Sequence, residues 1–462
     1  MLAVSDPNAF PEKFIWGVAT SSYQIEGAPT AGGRGPSVWD IFSHTPGKIK
    51  NNDNGDVACD HYHLYQDDIK LMQDLGVNSY RFSIAWSRIF PKGTEKTVNQ
   101  KGIDFYDSLV DTLLENDIKP FVTLNHWDMP QGLEDLGGWT NRQVVDEFVK
   151  YGYYTSKHLG DRATDWITHN EPWCISFLGY IEGRKPPGLK NEWAKSLATA
   201  HHLLLSHGKV IPEIKNNVKN AKVGITLNLN KAIPASDSDY DKKACDFYDA
   251  QFNRLYLDPL YNQKYPEILF NRLKEKNLIK EDDLKYIKDG DLSIISTPTD
   301  FLGVNYYSRA VIRNEEVDKS INSVANVEIG PKTDFGWEVY PPGIYDLLMR
   351  LHKDYNVNDI IITENGCSYG DSPDQNNKIN DINRINYHDS HIKQVFKAIE
   401  DGAPCSGYFA WSLMDNFEWA EGYSQRFGLI WVDFKTLERV PKESYYCYKN
   451  LLSSMKEKSG IL

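Results

Sequence analysis

Short runs of β-branched and aromatic residues recur along the chain, separated by longer stretches with apolar residues at helical spacing. Several runs are apolar on both faces, as strands buried between helices are, and none is joined to the next by a two-residue hairpin turn. Eight strands are predicted: FIWGVAT from Phe14, SYRFSIAW from Ser79, PFVTLNHW from Pro120, DWITHNEP from Asp165, KVGITLNLN from Lys222, DFLGVNYYS from Asp300, DIIITENG from Asp359 and GYFAWSLMD from Gly407.

The stretches between these strands have the periodicity of amphipathic helices. In GIDFYDSLVDTLLEND, which we expect to end at Asn116, apolar residues recur at helical spacing at Ile103, Tyr106, Val110 and Leu113. Glycine marks the predicted ends of three other helices, at Gly76, Gly160 and Gly402. The alternation of eight strands with helices predicts an α/β fold, a closed (β/α)8 TIM barrel with elaborated βα loops. A doubly wound open sheet is the alternative.

The chain is predicted to form one catalytic domain over residues 1–462, because no low-complexity linker divides it. The long segment between the fifth and sixth strands, roughly residues 230–300, has helical sequence patterns. It is interpreted as an elaboration within that domain. Two polar stretches, 371–383 and 314–323, are predicted to be surface loops.

Polar and aromatic residues that a core would reject stand at the ends of most predicted strands, where barrels of this kind carry their chemistry. They are Gln24, Arg81, His126, Trp127, Asn170, Glu171, Asn305, Tyr307, Glu364, Trp411, Glu418 and Trp419. Glu171 and Glu364 lie on the fourth and seventh strands, on opposite sides of a closed ring. Opposed carboxyl groups among hydroxyl-binding side chains are what glycoside hydrolysis requires, one to protonate the leaving oxygen and one to act at the anomeric carbon.

Composition narrows the range of partners. The 51 Lys and Arg residues against 64 Asp and Glu give a net charge of −13, which disfavours nucleic acid or an anionic membrane and favours a small neutral ligand. No apolar run approaches the ~20 residues that span a bilayer.

The six cysteines form no Cys-x-x-Cys pair and are predicted to be buried free thiols. Because the start of the chain lacks the pattern of a signal peptide and no Asn-x-Ser/Thr sequon occurs, we expect a cytoplasmic protein.

Six motifs in order carry a resemblance to a known family. The motifs are SSYQIEG, YRFSIAWSRIFP, HWDMPQ, THNEP, ITENG, and WSLMDNFEW with GYSQRFGL. Together they resemble glycoside hydrolase family 1, the β-glucosidase family, and the resemblance extends from about Phe10 to Tyr446.

The resemblance implies a retaining β-glycosidase that hydrolyses terminal non-reducing β-D-glucosyl residues by double displacement. Glu171 would be the acid/base and Glu364 the nucleophile, with their carboxyl groups ~5 to 5.5 Å apart. Arg81 and Tyr307 would keep Glu364 ionised and oriented, and Asn170 would complete the catalytic set. Repulsion and burial would hold Glu171 protonated until Glu364 becomes a glycosyl ester, after which Glu171 can act as the base.

The resemblance also implies the substrate contacts. The glycone side would be formed by Gln24, His126, Trp127, Asn170, Asn305, Tyr307, Trp411, Glu418 and Trp419, with Asn170 at the 2-hydroxyl. Trp173 and Trp337 would line the leaving-group side. The implied partner is a small β-glycoside or cello-oligosaccharide. Since Glu418 at the 4- and 6-hydroxyls admits either epimer, galactosides and fucosides stay open as substrates, and the oligomeric state is undecided.

Two other classes of protein are alternatives to this prediction. A metal enzyme is disfavoured, because His61 and His63 cannot share a helix face and His201-His202 are adjacent, so no metal or cofactor is predicted. A non-catalytic or transglycosylating β-glycoside-binding protein of the same fold is the second rival. Such a protein would typically have lost a carboxyl group, and this chain keeps both.

Two residues depart from what the family leads us to expect. Asn125 in TLNHWD stands where an aromatic residue is usual, and His169 in THNEP stands where an apolar one is usual. We expect both side chains to face away from the pocket and to compensate one another through a hydrogen bond near ~3 Å.

Overall fold

A closed barrel of eight parallel strands forms the centre of the molecule. The computed structural model describes residues 10–314, 324–327 and 329–458. Its strands are β1 (Ile15–Ala19), β2 (Ser79–Ser83), β3 (Lys119–Asn125), β4 (Asp165–Asn170), β5 (Lys222–Asn228), β6 (Ala232–Pro234), β7 (Phe301–Asn305), β8 (Ala310–Asn314), β9 (Val324–Asn326), β10 (Ile360–Asn365), β11 (Cys405–Trp411), β12 (Ile430–Val432) and β13 (Arg439–Pro441).

The order around the barrel is β1-β2-β3-β4-β5-β7-β10-β11, and β11 pairs back to β1 in parallel. Each predicted strand overlaps one strand of this ring. The predicted (β/α)8 barrel is therefore confirmed, and the open-sheet alternative is wrong. The eighth strand begins two residues earlier than predicted, at Cys405, and ends at Trp411.

Helices cover the outside of the barrel. The α-helices are α1 (Ser22–Ile25), α2 (Val38–Ser43), α3 (His61–Leu75), α4 (Trp86–Ile89), α5 (Gln100–Glu115), α6 (Gln131–Glu134), α7 (Gln143–Leu159), α8 (Pro172–Phe177), α9 (Trp193–Asn217), α10 (Asp239–Asp249), α11 (Leu255–Asn262), α12 (Glu267–Glu275), α13 (Asp291–Ile295), α14 (Pro342–Tyr355), α15 (Ile382–Glu400) and α16 (Glu443–Lys458). Short 3₁₀ segments cover Ala31–Gly33, Lys50–Asn52, Gly138–Thr140, Glu281–Leu284 and Trp419–Glu421, and π-helical segments cover Leu178–Glu182 and Ala250–Arg254.

The helix ends show two different uses of glycine. Gly76 follows α3 with φ 86°, and its N–H bonds the carbonyls of Met72 and Gln73, as a left-handed C-cap should. Gly160 also follows its helix, α7, but it has φ −75°. A Cβ there would overlap the side chain of Val218, so close packing rather than backbone conformation explains this glycine. The predicted stop of α5 before Asn116 is confirmed.

The long insertion after β5 is helical, as predicted, and contains α10 to α13. The small strands β6, β8 and β9 form a separate three-stranded sheet beside it. The predicted loop at 371–383 is irregular only as far as Asp381, which is buried and bonds Arg384 in the first turn of α15. Most of the other predicted loop, from 315 to 323, lies outside the described residues.

Aromatic side chains fill the interior of the barrel. The rings of Phe301 and Phe409 lie 5.4 and 5.2 Å from the ring of Phe121, and all three are buried. Trp411 belongs to the same apolar cluster and also lines the cavity described below. The core of the barrel thus forms the floor on which the polar residues at the strand ends are held.

Candidate active site

A cavity of about 320 Å³ lies at the carboxyl ends of the barrel strands, within the size range of small-molecule sites. Eleven of the residues singled out in the sequence line it: His126, Trp127, Glu171, Trp173, Asn305, Tyr307, Trp337, Glu364, Trp411, Glu418 and Trp419. Gln24, Arg81 and Asn170 do not line it. They are fully buried behind the wall and bond to residues that do.

Irregular strand pairing at the end of β4 brings Glu171 to the cavity. The pairing of β4 with β5 shifts register between Ile167 and Asn170, as at a β-bulge. Glu171 then takes φ 49°, an unusual conformation for a non-glycine residue, and Pro172 starts α8 directly after it. Its N–H donates to the carbonyl of Thr226 at 2.9 Å, which anchors the turn to β5.

The carboxyl group of Glu171 accepts hydrogen bonds from neutral donors. The Nδ2 of Asn305 donates to Oε1 at 2.6 Å, and the thiol of Cys174 donates to Oε2 at 3.0 Å. Neither donor carries a charge. Within the described residues, no cation lies within ion-pair distance of this carboxyl group.

Glu364 lies near the end of β10, where the pairing with β7 also shifts register. Arg81 Nη1 donates to its Oε1 at 2.6 Å, and the phenol of Tyr307 donates to its Oε2 at 2.6 Å. Gly366, two residues later, lies so close to the carbonyl of Trp411 that a Cβ would overlap it. The turn after Glu364 therefore requires glycine for its close approach to β11.

A chain of hydrogen bonds connects the two glutamates. Asn170 Oδ1 accepts from Arg81 Nη2 at 2.7 Å and from Asn305 Nδ2 at 3.0 Å. Asn305 also donates to Glu171, and Arg81 also donates to Glu364. The side chains of β2, β4, β7 and β10 are thereby fixed to one another across the cavity, which orients both carboxyl groups.

The two glutamates also interact electrostatically. Burial raises the pKa of Glu364 to about 7, the charge of Arg81 opposes this rise, and the charge of Glu171 adds to it. The hydrogen bond from Tyr307 lowers the pKa of Glu364 as well. The ionisation of Glu364 therefore depends on the charge of Glu171 as well as on its own hydrogen-bond partners.

A third carboxyl group, that of Glu418, faces the same cavity. Burial raises its pKa to about 8, and the charge of Lys185 acts in the opposite direction. Gln24 Nε2 donates to the Oε2 of Glu418 at 3.4 Å and to the carbonyl of Phe417 at 2.9 Å. Gln24 thus holds the loop that carries Glu418, while its own side chain lies behind the wall.

His126 is a neutral imidazole between aromatic rings. Burial, together with the positive charges of Arg81 and Lys185, lowers its pKa well below the usual value. Asn170 Nδ2 lies 3.1 Å from its Nε2, so Nε2 accepts and the ring hydrogen is on Nδ1. Its ring is nearly parallel to that of Trp411, 6.0 Å away. His126 therefore presents an aromatic surface to the cavity, while its Nδ1 is buried and has no hydrogen-bond partner among the described residues.

The outer part of the cavity is aromatic. Trp337 packs on Tyr307 and Phe335 with ring centroids 4.9 and 4.2 Å apart. Trp173 packs on Phe252 at 4.5 Å. The flat faces of such rings suit the apolar faces of sugars and aryl groups.

Sequence reasoning missed the residues that loops bring to the cavity. They include Cys174, Glu182, Arg184, Lys185, Asn228, Asn230, Tyr248, Phe252, Arg309, Phe335, Glu338, Glu421 and Phe427. Most of them lie on loops beyond the strand ends. In the sequence, the segment RKPPG around Lys185 could have indicated an ordered loop, because proline restricts the backbone conformation of the residue before it.

The predicted bond between Asn125 and His169 is confirmed. Asn125 Nδ2 lies 3.0 Å from His169 Nδ1, and neither residue lines the cavity. His169 Nε2 bonds the hydroxyl of Ser206 on α9 at 2.8 Å. The two departures from the family pattern therefore compensate one another and tie β3 and β4 to a helix.

Other sequence predictions concern the rest of the molecule. All six cysteines are buried and free, as predicted. Among the residues described here, no group of three or more His, Cys, Asp or Glu side chains is arranged to hold a metal ion. No helix in the described part of the chain has the length and apolar character needed to cross a bilayer.

Comparison with known proteins agrees with this geometry. The model for "Glycosyl hydrolase family 1" matches residues 6–457. The chain is 47% identical over 447 residues to "Beta-glucosidase A" of Acetivibrio thermocellus and 45% identical over 454 residues to "1,4-beta-D-glucan glucohydrolase" of Thermotoga neapolitana. Both alignments cover 96% of this chain and 98% of the relative.

A solved structure shows the same architecture. It is the Thermotoga maritima family 1 glycoside hydrolase complexed with a cyclophellitol analogue transition state mimic, which is 44% identical and superposes with a TM-score of 0.91 over 96% of this chain and 98% of the other. The barrel, the carboxyl groups facing one cavity and the match over nearly the whole length lead to one conclusion. The chain belongs to glycosyl hydrolase family 1.

Proposed function

We propose that this protein is a retaining β-glucosidase that releases terminal β-D-glucosyl residues, with Glu364 as nucleophile and Glu171 as acid/base. The observation that carries the proposal is the unequal surroundings of the two carboxyl groups. Glu364 is bonded by a guanidinium and a phenol, whereas Glu171 is bonded by an amide and a thiol.

This inequality distinguishes the roles of the two groups. A guanidinium at 2.6 Å favours the ionised form of Glu364, whereas the donors bonded to Glu171 carry no charge. We therefore assign the nucleophile to Glu364 and the proton donor to Glu171. A carboxylate beside a carboxylic acid is the pair that double displacement needs at its start.

The first chemical step uses both groups at once. The ionised Oε of Glu364 forms a bond to the anomeric carbon as the bond to the leaving oxygen breaks, and Glu171 gives its proton to that oxygen. The product is a glycosyl ester on Glu364 and a carboxylate on Glu171. Esterification removes the charge of Glu364, so Glu171 can take a proton from water as the water attacks the anomeric carbon. Hydrolysis of the ester regenerates both groups.

The substrate proposed is a small β-glucoside or a cello-oligosaccharide. Glu418 offers an acceptor and Trp411 an aromatic face on the side of the non-reducing sugar, and His126 lines the same cavity. Trp173 and Trp337 line the side of the leaving group. The names of the Acetivibrio thermocellus and Thermotoga neapolitana relatives, a β-glucosidase and a 1,4-β-D-glucan glucohydrolase, support a glucosyl substrate.

The remaining parts of the proposal follow from the same observations. We infer a single catalytic domain, which needs no metal or cofactor for the steps above. Six buried free thiols are compatible with the cytoplasm, where thiols are kept reduced. The non-catalytic alternative is not favoured, because both carboxyl groups are present with their hydrogen-bond partners. Transglycosylation would use the same two groups, with a sugar hydroxyl in place of water.

The deciding experiment replaces the nucleophile. Glu364→Ala should lower kcat/KM on 4-nitrophenyl β-D-glucoside by at least about a thousandfold, because no ester can form. Glu275→Ala, at an exposed position on α12, is the matched control and should retain full activity. Activity that survives in Glu364→Ala would overturn the assignment.

Stereochemistry tests the retaining mechanism and, with it, the expected carboxyl separation of ~5 to 5.5 Å. Proton NMR during hydrolysis should show β-glucose as the first product, with the α anomer appearing only through mutarotation. The α anomer as the first product would contradict double displacement. The same assay with a chelator should give an unchanged rate.

A further inference from the structure

Lys185 brings a cation to the cavity that the proposed mechanism does not use. It lines the same cavity as Glu171, Glu364 and Glu418. Its Nζ lies 3.1 Å from the ring centroid of Trp127 and 5.5 Å from that of Trp419. The ammonium group is therefore held against the aromatic wall on the Glu418 side.

This ammonium group has unused hydrogen-bonding capacity. Within the described chain, Lys185 has no salt bridge and its Nζ donates no hydrogen bond to the protein, although an ammonium carries three N–H donors. Burial lowers the pKa of Lys185, and the carboxyl groups of Glu171 and Glu418 oppose this. Lys185 is only half-buried and lines the cavity, so its free N–H groups are accessible to a ligand there that accepts hydrogen bonds.

The backbone holds Lys185 in place. Its N–H donates to the carbonyl of Leu178 at 3.3 Å, and its own carbonyl accepts from Gly188 N–H at 2.8 Å. Gly179 packs against the carbonyl of Pro186 so closely that a Cβ would overlap it. The backbone of Lys185 is thus fixed, and the position of its ammonium group in the cavity depends only on the side-chain rotamer.

We propose that Lys185 is a further specificity-determining residue, whose ammonium donates a hydrogen bond to one hydroxyl of the sugar held against Trp127 and Glu418. The inference rests on the proposed function. On the glycone side, Lys185 is the charged donor and Glu418 is the acceptor. One hydroxyl of the glucosyl unit therefore accepts from Lys185, and a neighbouring hydroxyl donates to Glu418. Trp127 fixes the direction from which the donor reaches the sugar.

The test combines substitutions at Lys185 with the loss of single hydroxyls from the substrate. Lys185→Met keeps the length of the side chain and removes the donor, and it should lower kcat/KM on 4-nitrophenyl β-D-glucoside about 10- to 100-fold, as expected for a charged hydrogen bond. On one of the 3-deoxy, 4-deoxy and 6-deoxy glucosides the loss should shrink to less than about threefold, because the acceptor is already absent. The 2-deoxy glucoside should show the full loss.

The controls separate a direct contact from a structural effect. Lys190→Met, an exposed lysine in the same loop, should behave as the wild type on every substrate. Lys185→Gln keeps a neutral donor and should lose less than Lys185→Met, and the same substrate series is run on it in case the methionine variant folds poorly.

Two results would overturn the inference. An equal loss of kcat/KM on all deoxy glucosides would show that Lys185 acts only through packing on Trp127, and a loss of less than threefold on the parent glucoside would show that it binds no hydroxyl. In both cases an active wild-type enzyme leaves the proposed function standing. A wild-type protein inactive on every aryl glycoside would overturn the proposed function and this inference together.

Discussion

Glu364 has a buried carboxyl group that is stabilised by one permanent cation and one phenol. Arg81 donates to Oε1 at 2.6 Å through its guanidinium group. Tyr307 contributes only through its O–H, which donates at 2.6 Å, and its own pKa is raised well above the usual value by burial and by the neighbouring Glu364. The phenol therefore stays protonated and can be removed without changing the net charge.

Tyr307→Phe should shift the pH dependence of hydrolysis. The hydrogen bond from Tyr307 lowers the pKa of Glu364, so its loss should raise that pKa above its value of about 7. Since Glu364 must be ionised to attack, the acid limb of kcat/KM should move to higher pH, by ~0.5 to 1 unit for one hydrogen bond. The measurement is the pH profile on 2,4-dinitrophenyl β-D-glucoside, whose leaving group needs no proton.

Tyr345→Phe is the matched control, because Tyr345 bonds Asp401 away from the cavity. Its profile should coincide with that of the wild type. An acid limb in Tyr307→Phe that is unchanged or lies at lower pH would show that the phenol does not stabilise the ionised form of Glu364.

At the scale of elements, the ends of β4 and β10 depart from regular strand geometry. In β4, Thr168 bonds His207 and the next residue, His169, bonds Ser206, so two successive side chains face the same helix, α9. Regular alternation would send one of them into the barrel. The extra outward residue lets Asn170 reach Arg81 in the interior. The irregular strand end thus orients the following residues toward the cavity.

The Asn125–His169 pair joins β3, β4 and α9, and it should contribute to stability. His169→Leu leaves the buried amide of Asn125 without this partner, whereas Ser206 keeps its hydrogen bond to the carbonyl of Leu203. Leaving a buried polar group unpaired should cost about 1 to 3 kcal/mol. Adding Asn125→Leu removes that unpaired amide, so the double variant should be more stable than the sum of the two single changes by about 0.5 to 3 kcal/mol.

Urea unfolding of the wild type, the two single variants and the double variant measures this coupling. Because the pair lies outside the cavity, the comparison is made on unfolding free energies rather than on rates. Strictly additive effects would mean that the 3.0 Å contact contributes nothing of its own.

At the scale of the whole molecule, one aromatic cluster inside the barrel joins strands from distant parts of the chain. Phe121 on β3 contacts Phe301 on β7 and Phe409 on β11. The first strand pairs with the last, which closes the ring. Loss of packing at this centre therefore affects every strand of the barrel rather than one local region.

Phe409→Ala should lower the free energy of unfolding by about 3 to 5 kcal/mol, because the side chain is fully buried and its removal leaves a cavity. If residues 1–462 form a single domain, fluorescence and circular dichroism should report the same transition, shifted to lower urea concentration. Leu136→Ala, at a position 55% exposed, should change the free energy by less than about 0.5 kcal/mol. Two separate transitions, only one of them shifted, would contradict the single domain.

The order of strands and helices and the two carboxyl groups could be predicted from the sequence, and the physical reason is local. Side-chain periodicity reports which face of an element is buried, and parallel strands in one barrel end at the same edge. Glu171 directly follows β4 and Glu364 lies near the end of β10, so their meeting in one cavity depends only on the barrel closing. The Asn125–His169 bond was predictable for a similar reason, because the two residues occupy equivalent places at the ends of adjacent strands.

Only the tertiary structure decided which polar residues face the cavity and which support it. Gln24 and Asn170 stand at strand ends like their neighbours, yet they lie behind the wall because their hydrogen bonds go to other protein groups, including the side chains of Asn416 and Arg81. Lys185 carries no periodic signal and reaches the cavity through a loop, whose path depends on contacts with distant parts of the chain. Periodicity along a sequence records burial, whereas the partner of a buried polar group is set by residues far away in the chain.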